Sequence, residues 1–129
     1  MRTRVEFVIH MDEDRPMPST VLMWLWGKGV RVEVMSVKFG VSQPAIHLIA
    51  SPPNSAEAVL RRRGVGFSKH RVAMGRVRDG NITEVARVTG TLIGRGILLD
   101  DIEFSHGVLV VRTAELEDAM LTLRSLSVE

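Results

Sequence analysis

The stretch DGNITEVARVTGTLIGRGI, residues 79–97, joins a polar turn to a helical pattern and ends on a glycine-containing stop. The start of a helix has backbone N–H groups without intrahelical partners and the positive end of the helix dipole, so it can bind a carboxylate or phosphate. Gly80 permits close approach to the backbone because it has no side chain. Asn81 and Thr83 are short polar residues that either cap the helix or orient a bound amine and carboxylate.

A related turn lies near the start of the chain, where Asp14, Pro16 and Met17 precede the helical pattern PSTVLMWLW. The prolines at positions 16 and 18 remove two backbone N–H donors from this turn. The later turn, residues 79–83, is therefore the better candidate for ligand binding. For both turns, simple capping of the following helix is the alternative.

Other patterns that carry chemistry are missing from the sequence. The four histidines show no His-x-x-x-His spacing, so structural roles are favoured and no metal site is predicted. The acids at positions 12–14 lack the glycine and distal glutamate of an EF-hand. There is no Gly-x-Ser-x-Gly nucleophile turn, and residues 94–96 do not form a dinucleotide-binding fingerprint. The sequence predicts a protein that is not an enzyme and needs no cofactor.

Length and composition predict a packed globular protein. The chain has 129 residues, enough for one ordinary domain or two very small ones, and 45% of them are hydrophobic. There is no cysteine, which excludes disulfides and thiolate chemistry. We find no targeting leader and no apolar run of about 18 residues, so we expect a cytoplasmic protein without a membrane partner.

The charge is unevenly distributed along the chain. The formal net charge is +2, but segment 61–95 is rich in arginine and lysine, whereas segment 97–129 is rich in acidic residues. Basic stretches can mark contact with nucleic acid. Solvated faces or self-association are the favoured interpretation, because a basic middle and an acidic end also suit two complementary packed surfaces.

An internal repeat organises the chain. When Gly27 is aligned with Gly94, an offset of 67 residues, segments 5–14 and 18–26 fall on 72–81 and 85–93. Each copy then reads strand, helix, strand, strand, helix, strand. We expect an α+β fold of two ferredoxin-like β-α-β-β-α-β units side by side, with antiparallel sheets and helices on one face. The predicted domains are residues 1–66 and 67–129.

Local patterns support this division. Residues Val5, Phe7 and Ile9 alternate as expected for a half-buried strand. In the first helix, Trp26 continues a buried stripe with Leu22 and Leu25, so Trp24 is expected to point partly outward. The helices are expected to stop at glycines in the left-handed conformation, Gly29 and Gly96.

The repeated pattern resembles tandem ACT domains, which are small-ligand regulatory modules, in their stand-alone form. The family signature is Asp-x-Pro-Gly, an aliphatic helix and then Gly-Ile-Asn-Ile. The first copy has DRPM and GVRV, and the second has DGNI and GILL. The resemblance implies that an amino acid binds at the strand–helix turns, at the domain or subunit interface. The implied ligand-binding residues are Asp14, Pro16, Met17, Asp79, Gly80, Asn81, Ile82 and Thr83.

The functional expectation is a non-catalytic, allosteric regulator that binds a small metabolite. Because only LSVE follows the last helix, the final strand is short and leaves an open edge, which predicts a homodimer or higher oligomer. A partner enzyme is a further candidate. One alternative is a protein-only regulatory subunit with a decayed ligand site, since Met17 and Asn81 depart from the family pattern. Another is an RNA-binding module, which the scattered aromatics and absence of tyrosine disfavour.

Overall fold

The computed structural model of the chain describes residues 1–13, 15–40, 43–77, 82–126 and 128. Over these residues the fold is α+β, with six strands in one sheet and four helices. The elements in chain order are β1 (Arg2–His10), α1 (Pro18–Trp26), β2 (Arg31–Phe39), β3 (Pro44–Ser51), α2 (Pro53–Arg62), β4 (Phe67–Arg76), α3 (Ile82–Gly94), β5 (Asp101–Ser105), β6 (Val108–Arg112) and α4 (Leu116–Ser125).

The chain divides into two compact units, and the first is the segment Val5–His70. Its strand order is β2-β3-β1-β4. Strand β3 pairs antiparallel with β1, where Phe7 lies opposite Leu48, and with β2. Strand β1 forms as predicted, and Phe7 and Ile9 are fully buried in a core that α1 and α2 also supply. Helices α1 and α2 therefore pack on one face of this part of the sheet. The expectation that the strand is half-buried is wrong, because Glu6 and Val8 on its other face are buried as well.

The second unit combines Arg71–Glu129 with Met1–Arg4, so the first unit is inserted within it in the sequence. Its strand order is β1-β4-β6-β5. Core residues come from β4, β6, α3 and α4, among them Ala73, Leu92 and Leu123. Strands β1 and β4 each contribute to both units, and the pairings of β6 with β4 and with β5 are antiparallel.

One expectation about the second unit is wrong. The short C-terminal segment was expected to leave an open edge, but the start of β1 occupies the position of the fourth strand beside β4. The amino group of Met1 also donates a hydrogen bond to the carbonyl oxygen of Val128, at 3.3 Å. The repeat alignment could not find this arrangement because it treats the two copies as consecutive segments. The assignment of residues 1–66 and 67–129 as separate side-by-side domains stays a prediction.

The helix ends show the same hydrogen bonds in both units. The amide of Val30 donates to the carbonyl of Leu25 at 2.9 Å, and the amide of Ile97 donates to the carbonyl of Leu92 at 3.1 Å. The two bonds are related by the offset of 67 residues found in the sequence. Such bonds close a helix only when a left-handed residue lies just before the donor. The predicted left-handed glycines are confirmed, with φ of 71° at Gly29 and 78° at Gly96.

Candidate functional site

The connection from β1 to α1 begins with a tight turn. The amide of Asp12 donates to the carbonyl of Arg15 at 2.7 Å, and the amide of Arg15 donates back to Asp12 at 3.0 Å. Glu13, between them, has a φ of 50°. Two backbone hydrogen bonds across so few residues fix the positions from which the Asp12 and Arg15 side chains leave the backbone.

Helix α1 begins with few free backbone donors. Its N-cap is Met17, whose side chain makes no capping hydrogen bond, and Pro18 at the first helical position has no N–H. The amides of Thr20 and Val21 donate to the carbonyl of Met17, at 3.0 and 3.1 Å. An anion at this turn must therefore be bound mainly by side chains.

A cavity of about 570 Å³ lies beside this turn, and all of its lining residues belong to the Val5–His70 unit. The end of β1, the turn and the first two turns of α1 supply most of the lining, and the connection from α2 to β4 supplies the rest. The polar lining residues are His10, Asp12, Arg15 and Thr20, and the remaining ones are Pro16, Met17, Trp24, Val65 and Gly66.

The cavity presents charges of both signs. Among the described residues, neither the Asp12 carboxylate nor the Arg15 guanidinium has an ion-pair partner, and both residues are exposed. His10 adds an exposed imidazole, and Thr20 adds a hydroxyl. Charges of both signs in one cavity suit a zwitterion, because each charge of the ligand can then be matched.

Trp24 forms part of the apolar wall. Its ring is partly buried and packs against the core of the unit. The guanidinium carbon of Arg63 lies 5.2 Å from the centre of that ring, within the range of a cation–π contact. The predicted burial of Trp26 is wrong, because Trp26 is 62% exposed, whereas Trp24 is half-buried and so points partly outward. Val21 and Leu25 are the buried positions of α1, and position 24 lies nearer to their stripe around the helix than position 26 does.

The structure describes four of the eight predicted site residues. Pro16 and Met17 line the cavity. Ile82 and Thr83 begin α3 and are exposed, Ile82 at 74%. The other four, Asp14, Asp79, Gly80 and Asn81, lie outside the described residues.

Sequence reasoning missed most of the cavity lining. Opposite charges at positions 12 and 15, on either side of the predicted Asp14, are a signal that could have found Asp12 and Arg15. Val65 and Gly66 lie far along the chain and show no pattern. Only the strand order, which places β4 beside β1, brings them to the turn.

Away from the cavity, one buried carboxylate has a partner from another strand. Nδ1 of His47 lies 3.1 Å from Oε1 of Glu6, and Glu6 is only 2% exposed. Within the described part of the chain, no three His, Asp or Glu residues are grouped so as to hold a metal ion. None of the described helices is long and apolar enough to cross a membrane.

Comparisons with known proteins identify the type of fold. The chain is similar to a protein from Bacteroides thetaiotaomicron, with a TM-score of 0.72 and 15% identity over 98% of this chain and 89% of that one. It is also similar to the regulatory subunit of aspartate kinase from Thermus thermophilus, with a TM-score of 0.61 and 13% identity over 95% and 91% of the two chains.

A third similar structure is E. coli aspartokinase III in complex with lysine and aspartate, with a TM-score of 0.61 and 14% identity. The match covers 98% of this chain but 31% of the kinase. No protein-family model and no curated protein matches the sequence. The protein therefore has an ACT-type fold, the fold of aspartate kinase regulatory subunits, and the likeness at this level of identity concerns the fold alone.

Proposed function

We propose that this protein is a non-catalytic regulator that binds a small metabolite of the amino-acid class in the cavity beside the β1–α1 turn. The observation that carries this proposal is the cavity itself. It has a volume of about 570 Å³, lies at the turn where the ACT resemblance places an effector, and contains charges of both signs. Pockets of this kind, apolar with a few polar groups, are the usual binding sites for small molecules.

The lining residues fit the three parts of an amino acid. Arg15 would bind the carboxylate, because a guanidinium offers paired N–H donors in the geometry of a carboxylate. Asp12 would accept hydrogen bonds from the ammonium group. The side chain of the ligand would then lie against the apolar wall that Met17 and Trp24 help to form. Asp14, which precedes Arg15, is proposed as a further contact with the ammonium.

The second turn, residues 79–83, is proposed as a second site of the same kind. The amides at the start of α3 would receive a carboxylate, and Asp79 and Asn81 would contact an ammonium. The support for this site is the repeat, which aligns residues 79–82 with the turn that lies beside the cavity, together with the ACT resemblance.

Regulation would follow from differential affinity. A ligand shifts an equilibrium between two states only as far as it binds one of them more tightly. We propose that the states are two arrangements of a homodimer or higher oligomer, or free and enzyme-bound forms of this protein in the cytoplasm. A protein-only subunit with a decayed site is the second candidate, favoured by the side chains at Met17 and Asn81 that depart from the ACT pattern.

A thermal-shift screen of the twenty amino acids tests the proposal. A ligand at 100 times its dissociation constant stabilises the folded state by about 2.7 kcal/mol, and for a chain of this length the melting temperature should rise by several degrees. The Arg15→Gln variant should lose most of that rise if the ligand lies in the cavity, and Asn81→Leu should lose it if the ligand lies at the second turn. Stabilisation by no amino acid would favour the decayed subunit.

A further inference from the structure

The indole of Trp24 is held in place from two sides. It packs against the core of the Val5–His70 unit, and the guanidinium carbon of Arg63 lies 5.2 Å from the ring centre. Arg63 is itself fixed at the end of α2, where its amide donates to the carbonyl of Val59 at 3.1 Å. An aromatic ring with so little freedom is preorganised for binding, because little conformational entropy is lost when a ligand covers it.

The connection that carries Arg63 also builds another part of the cavity. Val65 and Gly66 follow it directly and line the cavity, and the carbonyl of Gly66 accepts a hydrogen bond from the amide of His10 at 3.3 Å. Arg63 does not line the cavity, so its role toward a ligand would be indirect. One short segment therefore positions the indole and forms a wall next to it.

The volume of the cavity exceeds what a small polar ligand requires. At about 570 Å³ it falls within the range of about 300–1,000 Å³ typical of pockets that enclose drug-sized molecules. A ligand that carried only charged groups would satisfy Arg15 and Asp12 but would leave the surfaces of Trp24, Val65 and Met17 in contact with water. A ligand with a flat apolar group covers those surfaces and gains an aromatic contact with the part of Trp24 that lines the cavity.

We propose that the cavity selects amino acids whose side chain is a planar ring, with Trp24 as the specificity-determining residue and Arg63 as the residue that positions it. This inference rests on the proposed function, because it assigns the side-chain class of the ligand bound there. Arg15 and Asp12 recognise the groups common to all amino acids. Trp24 distinguishes the ring from shorter or charged side chains.

Fluorescence of a single-tryptophan variant tests the selectivity. The chain has two tryptophans, and Trp26 is exposed and absent from the cavity lining, so Trp26→Phe leaves Trp24 as the only reporter. Titration with L-phenylalanine should change the Trp24 emission in a saturable way. The dissociation constant of L-phenylalanine should be about tenfold below that of L-alanine or L-lysine. One aromatic contact is expected to give a discrimination of this size.

Calorimetry on variants separates a role in selection from a role in folding. Trp24→Leu should weaken the binding of L-phenylalanine about tenfold and change the affinity for L-alanine by less than about twofold. Trp24→Phe should retain the preference for L-phenylalanine. Arg63→Met should weaken L-phenylalanine by a smaller factor, and Arg62→Met, at the neighbouring exposed arginine, should leave it unchanged.

Each remaining outcome overturns the inference in a distinguishable way. If L-alanine or L-lysine binds as tightly as L-phenylalanine, the selectivity is wrong and the proposed function stands. If Trp24→Leu weakens the binding of all amino acids equally, Trp24 is a structural residue only. If none of the twenty amino acids binds the wild-type protein, the proposed function fails and this inference fails with it.

Discussion

The guanidinium of Arg63 lies over the ring of Trp24, with 5.2 Å between the guanidinium carbon and the ring centre. The contact joins the end of α2 to the middle of α1. Trp24 lines the candidate ligand cavity, so the contact connects a basic residue of the protein surface to the wall of that cavity. A second contact of the same kind lies nearby, where Arg61 is 5.4 Å from the ring centre of Phe67.

The Arg63–Trp24 contact should contribute measurably to stability. Replacement of Arg63 by methionine removes the cation and keeps a long side chain, and it should lower the free energy of unfolding by about 0.5–1 kcal/mol. The measurement is urea unfolding at neutral pH. Arg62→Met is the matched control, because Arg62 is exposed and its side chain has no hydrogen bond, ion pair or ring contact with another described residue. Equal effects of the two substitutions would contradict the prediction.

Two glycines of the second unit should respond to alanine in opposite directions. Gly96 has a φ of 78°, so Gly96→Ala should destabilise the protein by about 1 kcal/mol although no atom lies near the added methyl group. Gly90 is inside α3, and the space around its added methyl group is also open. Gly90→Ala should therefore stabilise the protein by up to about 1 kcal/mol. Thermal unfolding of both variants checks this, and a shift of the same sign in both would refute it.

The ion pairs of Glu57 should make stability depend on pH. Hydrogen bonds from Lys69, at 2.7 Å, and from Arg61 lower the pKa of the Glu57 carboxyl below its ordinary value of 4.5. Because the pKa is lower in the folded state, the stabilising contribution is complete above the unfolded pKa. It disappears as pH falls below 4.5 through the lowered value.

A double-mutant cycle measures this effect. The variants are Glu57→Gln, Lys69→Gln and the combination, each unfolded from about pH 7 to about pH 3. The coupling between the two positions should be favourable at neutral pH and should weaken as the pH falls below 4.5. A coupling that is independent of pH would show that the carboxylate charge is not involved.

The protein should assemble as at least a homodimer. The position beside β4 is occupied by the start of β1, so the prediction rests on exposed apolar surface on the helices. On α1, Met23 is 69% and Trp26 is 62% exposed, and on α4 Leu121 is 63% exposed. Side chains of this size on outer helix faces mark interaction surfaces when they lie together. Light scattering over a micromolar concentration series should give at least twice the chain mass of 14.3 kDa, and a constant monomer mass would contradict the prediction.

Much of the fold could be predicted because local patterns decide it. The alternation of Phe7 and Ile9 specifies which face of β1 packs against the helices, and glycine is the residue that tolerates the left-handed positions 29 and 96. Burial of Glu6 on the other face of β1 was not predicted. Its partner, His47, comes from another strand, and a single sequence does not show that pairing.

The candidate site was predictable only in part, for a related reason. The turn before α1 has a local signature, and Pro16 and Met17 in that signature do line the cavity. The second turn lacks the prolines that remove backbone N–H donors from the first turn. At the first turn, side chains such as Arg15 can bind an anion in place of those donors. Trp26 was expected to continue a buried stripe with Leu22 and Leu25, but the buried residues of the nine-residue helix α1 are Val21 and Leu25, and Trp26 lies outside their stripe.

The most direct test of the central claim is amide NMR of the uniformly ¹⁵N-labelled protein with saturating amounts of each amino acid. The account predicts that at least one amino acid shifts amide resonances of the residues that line the cavity, above all those of Asp12, Arg15, Thr20 and Gly66. The same ligand should shift few resonances in β5 and β6. Unchanged spectra with all twenty amino acids, or shifts that leave the cavity residues unaffected, would contradict the claim that this cavity binds the ligand.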